Sequence, residues 1–291
     1  MATNASDNGI WSKVATVSDL LKPELPFTAG VCVIAGEVLA LGGLPDLASA
    51  IFGFLVGFFI SGSAMVSNDY FDQEVDRINR PDRPLPSGRA TVREVVFLTI
   101  VLSFIGLLAA ALLGVPALVL GLITWVVGLS YNWRFKSSGL PGNMMVAFSV
   151  SVTFVFGGVA VGNLNGLVLT FGVLAFIFDL SEEIINGALD AKGDEKRGSK
   201  SIAIRYGRRT AIRSAGVLFA SFIVISFIPF AAGWLGIVYL IMVSCVDIAV
   251  IILFSKLKTE NGRIEEDRRI VRSLYITMLL FIISFLVLVA L

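Results

Sequence analysis

The sequence predicts an all-α, polytopic membrane protein with nine transmembrane helices. Of its 291 residues, 56% are hydrophobic and only 15% are charged, and the mean hydropathy is +0.86. Soluble domains carry about 25% charged residues, so this deficit indicates that much of the surface faces lipid. Nine spans of about 20 residues leave space only for loops and tails. We therefore expect one transmembrane domain over residues 1–291, with a polar segment at residues 1–26.

Nine apolar runs follow one another along the chain, each near the length that a helix needs to cross hydrocarbon. They lie at residues 27–44, 47–67, 94–113, 115–131, 144–162, 165–182, 211–231, 234–255 and 272–291. Short turns follow the first, third, fifth and seventh runs, and longer charged segments follow the second, fourth, sixth and eighth. Within the runs, Gly53-x-x-x-Gly57 and Gly157-Gly158 indicate close helix packing.

The distribution of basic residues predicts the orientation. With nine helices, all 23 Lys and Arg fall on one side of the membrane. Lys13 and Lys22 precede the first run, and the other 21 lie in the charged segments and their flanks. Positive residues accumulate on the cytoplasmic side. We therefore expect a cell-membrane protein whose amino terminus and long loops are cytoplasmic and whose Leu291 is external.

The composition also excludes several kinds of chemistry and partner. The chain has no histidine, which excludes imidazole catalysis, His-ligated metals and haem. Cys32 and Cys245 each lie within an apolar run, so neither a disulfide framework nor a zinc site is expected. A net charge of +1 argues against nucleic-acid binding. Nothing in the sequence requires a protein partner.

The charged segment after the second run carries polar side chains at helical spacing. Asn68, Asp72 and Asp76 repeat every four residues, so they share one face of a helix that continues out of the bilayer. Like charges at this spacing repel, and a divalent cation relieves the repulsion. Ligands that are all oxygen select a hard ion such as Mg²⁺. The segment also holds four arginines, namely Arg77, Arg80, Arg83 and Arg89.

A second acidic segment follows the sixth run. Its polar residues at four-residue spacing are Glu182, Asn186, Asp190 and Asp194, with Glu183 also about two turns before Asp190. Its basic residues are Lys192, Lys196, Arg197 and Lys200. One such segment alone is typical of a solvated, salt-bridged helix end. Two at matching depth favour a diphosphate site, with metal ions on one side and cations on the other.

At these residues the sequence resembles the UbiA superfamily of intramembrane prenyltransferases. Residues 68–76 and 79–88 are similar to that family's Asn-Asp-x-x-Asp-x-x-x-Asp motif and its Asn-x-Pro-x-Arg-Pro-x-x-Ser-Gly tail. Asp190 and Asp194, with residues 198–201, resemble its Asp-x-x-x-Asp motif and the Gly-x-Lys-Ser/Thr that follows. Tyr131 and Lys136 resemble a third recurring feature. One departure is Gly187, where archaeal members often carry another acidic residue.

The resemblance implies nine helices around a central cavity, with Mg²⁺ and an isoprenyl diphosphate bound beneath a cytoplasmic cap. It implies that one metal ion is held by Asn68, Asp72 and Asp76, and another by Asp190 and Asp194. The four aspartates are then the catalytic residues. Further contacts to substrate are expected from Arg77, Arg83, Tyr131, Lys136, Glu183 and Asn186. An alternative role for Arg77, Arg83 and Lys136 is to contact lipid headgroups. An alternative role for Tyr131 is to anchor the helix at the membrane interface.

The first motif is most similar to that of an archaeal lipid enzyme in this superfamily. That enzyme transfers a geranylgeranyl group from its diphosphate to the free hydroxyl of geranylgeranylglyceryl phosphate. The resemblance therefore implies a Mg²⁺-dependent transferase whose substrates are geranylgeranyl diphosphate and a lipid acceptor, and which is surrounded by membrane lipids. An aromatic acceptor, similar to hydroxybenzoate or a naphthoate, is an alternative.

A different class, an ion-coupled transporter, is suggested by three carboxylates inside the runs. These are Glu37, Asp179 and Asp247. Acids within a membrane span usually face a cavity, and we expect this of Glu37 in particular. Transporters are commonly built from two related halves with broken helices. The sequence has no convincing internal repeat, and its acidic segments lie at the interface, so the transporter is the weaker hypothesis.

Overall fold

The computed structural model describes residues 5–191, 193, 198–257 and 264–290, and its regular elements there are all helices. They are α1 (Ala5–Leu21), α2 (Glu24–Leu41), α3 (Leu47–Phe71), α4 (Gln73–Asn79), α5 (Val92–Leu113), α6 (Val115–Ser130), a π-helical segment (Tyr131–Phe135), α7 (Leu140–Ala160), α8 (Gly166–Leu189), α9 (Ile202–Tyr206), α10 (Arg208–Ser226), α11 (Ile228–Ala231), α12 (Ile237–Ser255) and α13 (Ile264–Ala290). The prediction of an all-α, polytopic membrane protein is confirmed.

Each predicted apolar run corresponds to one long helix, but the described residues contain eight candidate spans by length and composition. The exception is α8, which has 24 residues. Asp179, Glu182 and Glu183 fall within every 18-residue stretch of α8, and this charge removes it from the candidates. The acidic residues that predict a site on this helix are therefore the same residues that make its membrane character ambiguous.

Side-chain caps fix where several helices begin. Asp46 precedes α3 and accepts hydrogen bonds from the backbone N–H of Ala48 and Ser49 and from the Ser49 hydroxyl. These bonds, chiefly those from Ser49, hold the pKa of Asp46 below its usual range. At the start of α5, Thr91 and Glu94 form a reciprocal capping box. Both devices satisfy N–H groups that a helix cannot pair internally.

The polar amino-terminal segment contains a helix that the sequence analysis did not predict. Helix α1 packs against α3 through Thr16 and Leu20, which are both buried. Its outer side forms ion pairs with the chain around the start of α5. Lys13 Nζ lies 2.8 Å from Glu94 Oε1, and Arg89 Nη1 lies 2.5 Å from Asp19 Oδ2. Because these pairs are exposed, the buried contacts with α3 are what hold α1 in place, and the helix has too few apolar residues to stand out by periodicity.

The helices pack mainly with their neighbours in sequence. In addition, α13 contacts α2 as well as α8 and α12, so the helices of the first and last apolar runs lie side by side. The largest cluster of buried side chains joins α2, α7, α8, α10, α12 and α13. Close packing at the predicted glycines is confirmed. A Cβ on Gly57 would lie 2.7 Å from the Ala29 carbonyl oxygen, and one on Gly157 would lie 2.2 Å from that of Val33. Only glycine allows α3 and α7 to approach α2 this closely.

Candidate active site

The first acidic motif lies at the end of α3, where the helix is interrupted. The sequence predicts one continuous helix through Asn68, Asp72 and Asp76, but α3 ends at Phe71 and α4 begins at Gln73. Asp72 occupies the junction, with φ −88° and ψ 1°. The break does not separate the acidic side chains, because a single basic residue contacts all of them.

Arg83 connects the carboxylates of this motif. Its Nη1 atom lies 2.6 Å from Asp76 Oδ2, 3.6 Å from Asp69 Oδ1 and 4.0 Å from Asp72 Oδ2. Asp69 is only 1% exposed, and it also accepts a hydrogen bond of 3.0 Å from Lys22 Nζ. The sequence analysis did not propose Asp69 or Lys22 as site residues. The i, i+3, i+7 spacing of Asp69, Asp72 and Asp76 is a helical pattern that would have identified the first of them.

The π-helical segment brings a third set of residues to the motif. Lys136 at its end forms an ion pair with Asp72. Asn132 is buried and donates to Ala64 O and Ser67 Oγ on α3, at 2.8 and 3.0 Å. Asn132 Oδ1 lies 3.1 Å from the Asn68 amide nitrogen. With its amide reversed, Asn68 instead accepts from Lys136 at 2.8 Å and donates to Asp72 at 3.2 Å. Either arrangement of the amide connects Asn68 to the π-helical segment or to Lys136 at its end. Turns of π-helix are frequent at functional sites.

The loop after the π-helical segment also contacts the chain that follows the second acidic motif. Lys200 N donates to Ser137 O at 3.0 Å. Gly139 has φ +78°, and a Cβ there would lie 2.0 Å from Lys200 O. Any other residue would be strained and would push the two loops apart. Lys136 is adjacent to Ser137, so this loop joins the first motif to the chain beyond Asp190.

The second acidic motif lies on one face of α8. Asp179, Glu182, Glu183, Asn186 and Asp190 follow helical spacing along this helix. Asp179 Oδ2 and Glu182 Oε1 are buried, and neither has a hydrogen-bond partner in the part of the chain that the structure describes. Asp190 lies at the end of the helix and forms an ion pair with Arg268 of α13.

The other predicted site residues differ in how closely they join these contacts. Arg77 is exposed and forms no ion pair with a described residue. Tyr131 begins the π-helical segment and is partly buried. Glu183 and Asn186 are partly buried on the acidic face of α8. Asp194 lies outside the described residues, as do Lys192, Lys196 and Arg197. The roles predicted for all these residues in binding substrate or metal stay predictions.

The oxygen ligands of the two motifs fit Mg²⁺ in kind. Within the described ranges, which omit Asp194, no three acidic or cysteine side chains come together as a metal cluster. Mg²⁺ usually needs only one or two carboxylates, because water and substrate phosphate complete its coordination. The ion pairs of Asp72, Asp76 and Asp190 each use one carboxylate oxygen. The second oxygen of each group is the kind of ligand that the ion requires.

Two further acids within the spans lie in packed surroundings. Glu37 is 0% exposed, and a Cβ on Gly53 would lie 2.1 Å from its Oε1 atom. Neither of its oxygens has a partner among the described residues. Asp247 is also buried and accepts a hydrogen bond of 2.9 Å from Ser226. Glu37 is therefore packed against α3, where the sequence analysis expected a residue facing a cavity.

Comparison with known proteins decides the family. Residues 29–273 match the UbiA prenyltransferase family. The chain belongs to this family. It is 32% identical over 270 residues to the digeranylgeranylglyceryl phosphate synthase of Thermococcus kodakarensis, covering 92% of this chain and 96% of the relative. It is also 32% identical over 270 residues to the enzyme of that name from Methanopyrus kandleri, covering 92% and 97%.

Solved structures agree with this assignment to the UbiA family. A structure described as that of digeranylgeranylglyceryl phosphate synthase in membranes superposes with a TM-score of 0.81 at 28% identity, covering 96% of this chain and 99% of that one. A UbiA homolog from Archaeoglobus fulgidus, bound to GPP and Mg²⁺, superposes with a TM-score of 0.71 at 21% identity, covering 94% and 99%. The second similarity concerns the fold alone. The resemblance seen in the motifs is confirmed.

Proposed function

We propose that this protein transfers a geranylgeranyl group from geranylgeranyl diphosphate to the free hydroxyl of geranylgeranylglyceryl phosphate, with Mg²⁺ as cofactor. The observation that supports the proposal is the network of contacts that joins the first acidic motif to Lys136 and Asn132, together with the bond from Lys200, beyond the second motif, to Ser137. These contacts link three segments that resemble motifs of the UbiA family. The lipid acceptor is supported by the similarity to two archaeal synthases over nearly the full length of each chain.

The residues that would hold the metal ions are those of the two acidic motifs. Asn68, Asp72 and Asp76 would hold one Mg²⁺, and Asp190 and Asp194 another. When bound, Mg²⁺ neutralises part of the negative charge on the leaving diphosphate. The departure of Gly187 from the archaeal pattern leaves one acidic position unfilled. Glu183 and Asn186 lie on the same face of α8 and are the residues we propose to compensate.

The basic residues of the network provide the remaining stabilisation of the diphosphate. Lys136 and Arg83 already contact the carboxylates of the first motif, so both cations are positioned before substrate binds. Preorganised charge lowers the barrier most where water is excluded. We assign Arg77 and Tyr131 to the outer edge of the same site. The proton of the acceptor hydroxyl would pass to a carboxylate or to a diphosphate oxygen.

We also propose that α8 crosses the membrane, giving nine spans in one domain around a central cavity with a cytoplasmic cap. Its 24 residues are long enough, and its neighbours α7 and α10 are candidate spans that pack along it. Its acidic face would then line the cavity instead of lipid. An odd number of spans puts the two termini on opposite sides, and the distribution of Lys and Arg favours a cytoplasmic amino terminus and an external carboxyl terminus. A reporter fused after residue 290 that is active only in the cytoplasm should then be inactive.

The test of function uses purified protein, Mg²⁺ and labelled geranylgeranyl diphosphate with either geranylgeranylglyceryl phosphate or an aromatic acid. We expect product only with the lipid acceptor, and none when Mg²⁺ is removed by chelation. Product formed only with the aromatic acid would contradict the proposed acceptor while leaving the chemistry intact. Asp72→Ala and Asp190→Ala should each lower turnover at least about a hundredfold, because each removes a charged ligand. Turnover unchanged in both variants would contradict the metal assignment.

A further inference from the structure

Two consecutive residues of α13 attach its first turns to the end of α8. Arg268 forms an ion pair with Asp190 of the second acidic motif. Asp267 accepts a hydrogen bond of 2.6 Å from Arg208 at the start of α10, and Arg208 also donates to Ala188 O on α8 at 3.4 Å. Three helices therefore meet beside Asp190, and α13 contributes a cation that the sequence motifs did not reveal.

The two ion pairs differ in burial, and this separates their roles. Asp267 is 2% exposed, so its pair with Arg208 is the one that fixes α13 against the start of α10. The side chains of Arg268 and Asp190 are 52% and 44% exposed. An exposed pair of this kind contributes little to stability. Stability therefore gives no reason for a guanidinium at Asp190, whereas a role in ligand binding does.

We infer that Arg268 is a diphosphate-binding residue, which pairs with Asp190 in the absence of ligand and transfers to a diphosphate oxygen when a divalent ion occupies the motif. The inference rests on the proposed function, because it requires a diphosphate at this site. A divalent ion on the second oxygen of Asp190 neutralises part of the carboxylate charge and so weakens its attraction for the guanidinium. The displaced guanidinium then lies next to a diphosphate, for which its planar pair of N–H donors is well suited.

The exposed position of this pair allows a direct test with binding measurements. Arg268→Ala should bind Mn²⁺ alone, titrated by electron paramagnetic resonance, several-fold more tightly than the wild type, because a competing cation is lost. The same variant should bind a geranylgeranyl thiolodiphosphate in the presence of Mg²⁺ about tenfold more weakly, because a charge-assisted hydrogen bond is lost. Arg268→Lys should give intermediate values, since it keeps the charge but not the paired donors.

The matched control is Arg269→Ala, which removes the same charge from the next residue of α13. Arg269 is exposed and forms no ion pair with a described residue, so both affinities should equal those of the wild type. Equal metal and diphosphate affinities in Arg268→Ala and the wild type would overturn the inference. A fall in both affinities together with the thermal midpoint would also overturn it, because that pattern is structural. Failure of the wild type to bind the thiolodiphosphate would instead contradict the proposed function.

Discussion

Arg83 provides the sharpest test of how the first acidic motif is held together. Its Nη1 atom lies 2.6 Å from Asp76 Oδ2 and within 4.0 Å of the carboxylates of Asp69 and Asp72. In Arg83→Ala, the carboxylates lose their shared cation and repel one another. The hydrogen bond to Asp76 is charge-assisted, and such bonds contribute about 1.5–3 kcal/mol. The same free energy lost from transition-state binding corresponds to a fall in kcat/KM of about 10- to 150-fold, and this is the effect that we expect.

The assay measures initial rates with labelled geranylgeranyl diphosphate over a series of Mg²⁺ concentrations. Excess Mg²⁺ should recover part of the activity of Arg83→Ala, because the metal ion can replace some of the lost positive charge. Arg83→Lys should lose less, since its ammonium keeps the charge but reaches fewer oxygens. Arg80→Ala removes an exposed arginine of the same loop, one with no ion pair to a described residue, and serves as the control. Arg83→Ala within twofold of the wild type, with unchanged Mg²⁺ dependence, would refute this reasoning.

Two further predictions concern the packing that supports the site. Gly157→Ala would place a Cβ 2.2 Å from the Val33 carbonyl oxygen and should lower the free energy of unfolding by about 1–3 kcal/mol. The control is Gly43→Ala, because no atom lies within 4 Å of the added Cβ. Equal thermal midpoints for the two variants would contradict the prediction. Tyr239→Phe removes a 2.7 Å hydrogen bond to the Ser226 carbonyl and should lower the free energy of unfolding by about 1–3 kcal/mol. The KM for the prenyl diphosphate should not change. An altered KM at constant stability would contradict this prediction.

The fold was largely predictable because its main signals are local. Hydropathy along the chain located a helix for each of the nine predicted runs, and most of their ends lie within a few residues of the predicted positions. Helix α1 was missed because it has few apolar residues, and the buried side chains that hold it contact α3, which is distant in sequence. That α8 crosses the membrane stays a prediction. Asp179, Glu182 and Glu183 lower the hydropathy of the helix, and hydropathy does not depend on where the helix lies in the protein.

The site was only partly predictable, since spacing identifies side chains of one helix but not their partners on another. Asn68, Asp72 and Asp76 were identified by their four-residue spacing, and Arg83 and Lys136 by a resemblance to known motifs. The interruption of the helix at Asp72 has no clear signal in the sequence. Asn132 was missed as well, because a single amide at the end of an apolar run does not indicate which helix it contacts.

What the sequence determined by itself is the number of long apolar segments, the separation of basic residues from short turns, and the two acidic motifs. These properties depend on residues close together in the chain. Only the tertiary structure decided which cation holds which carboxylate. Lys22 reaches Asp69 across 47 positions, and Arg268 reaches Asp190 across 78. Pairs so distant in sequence meet because apolar helices pack at fixed positions along their length, and no local pattern records that packing.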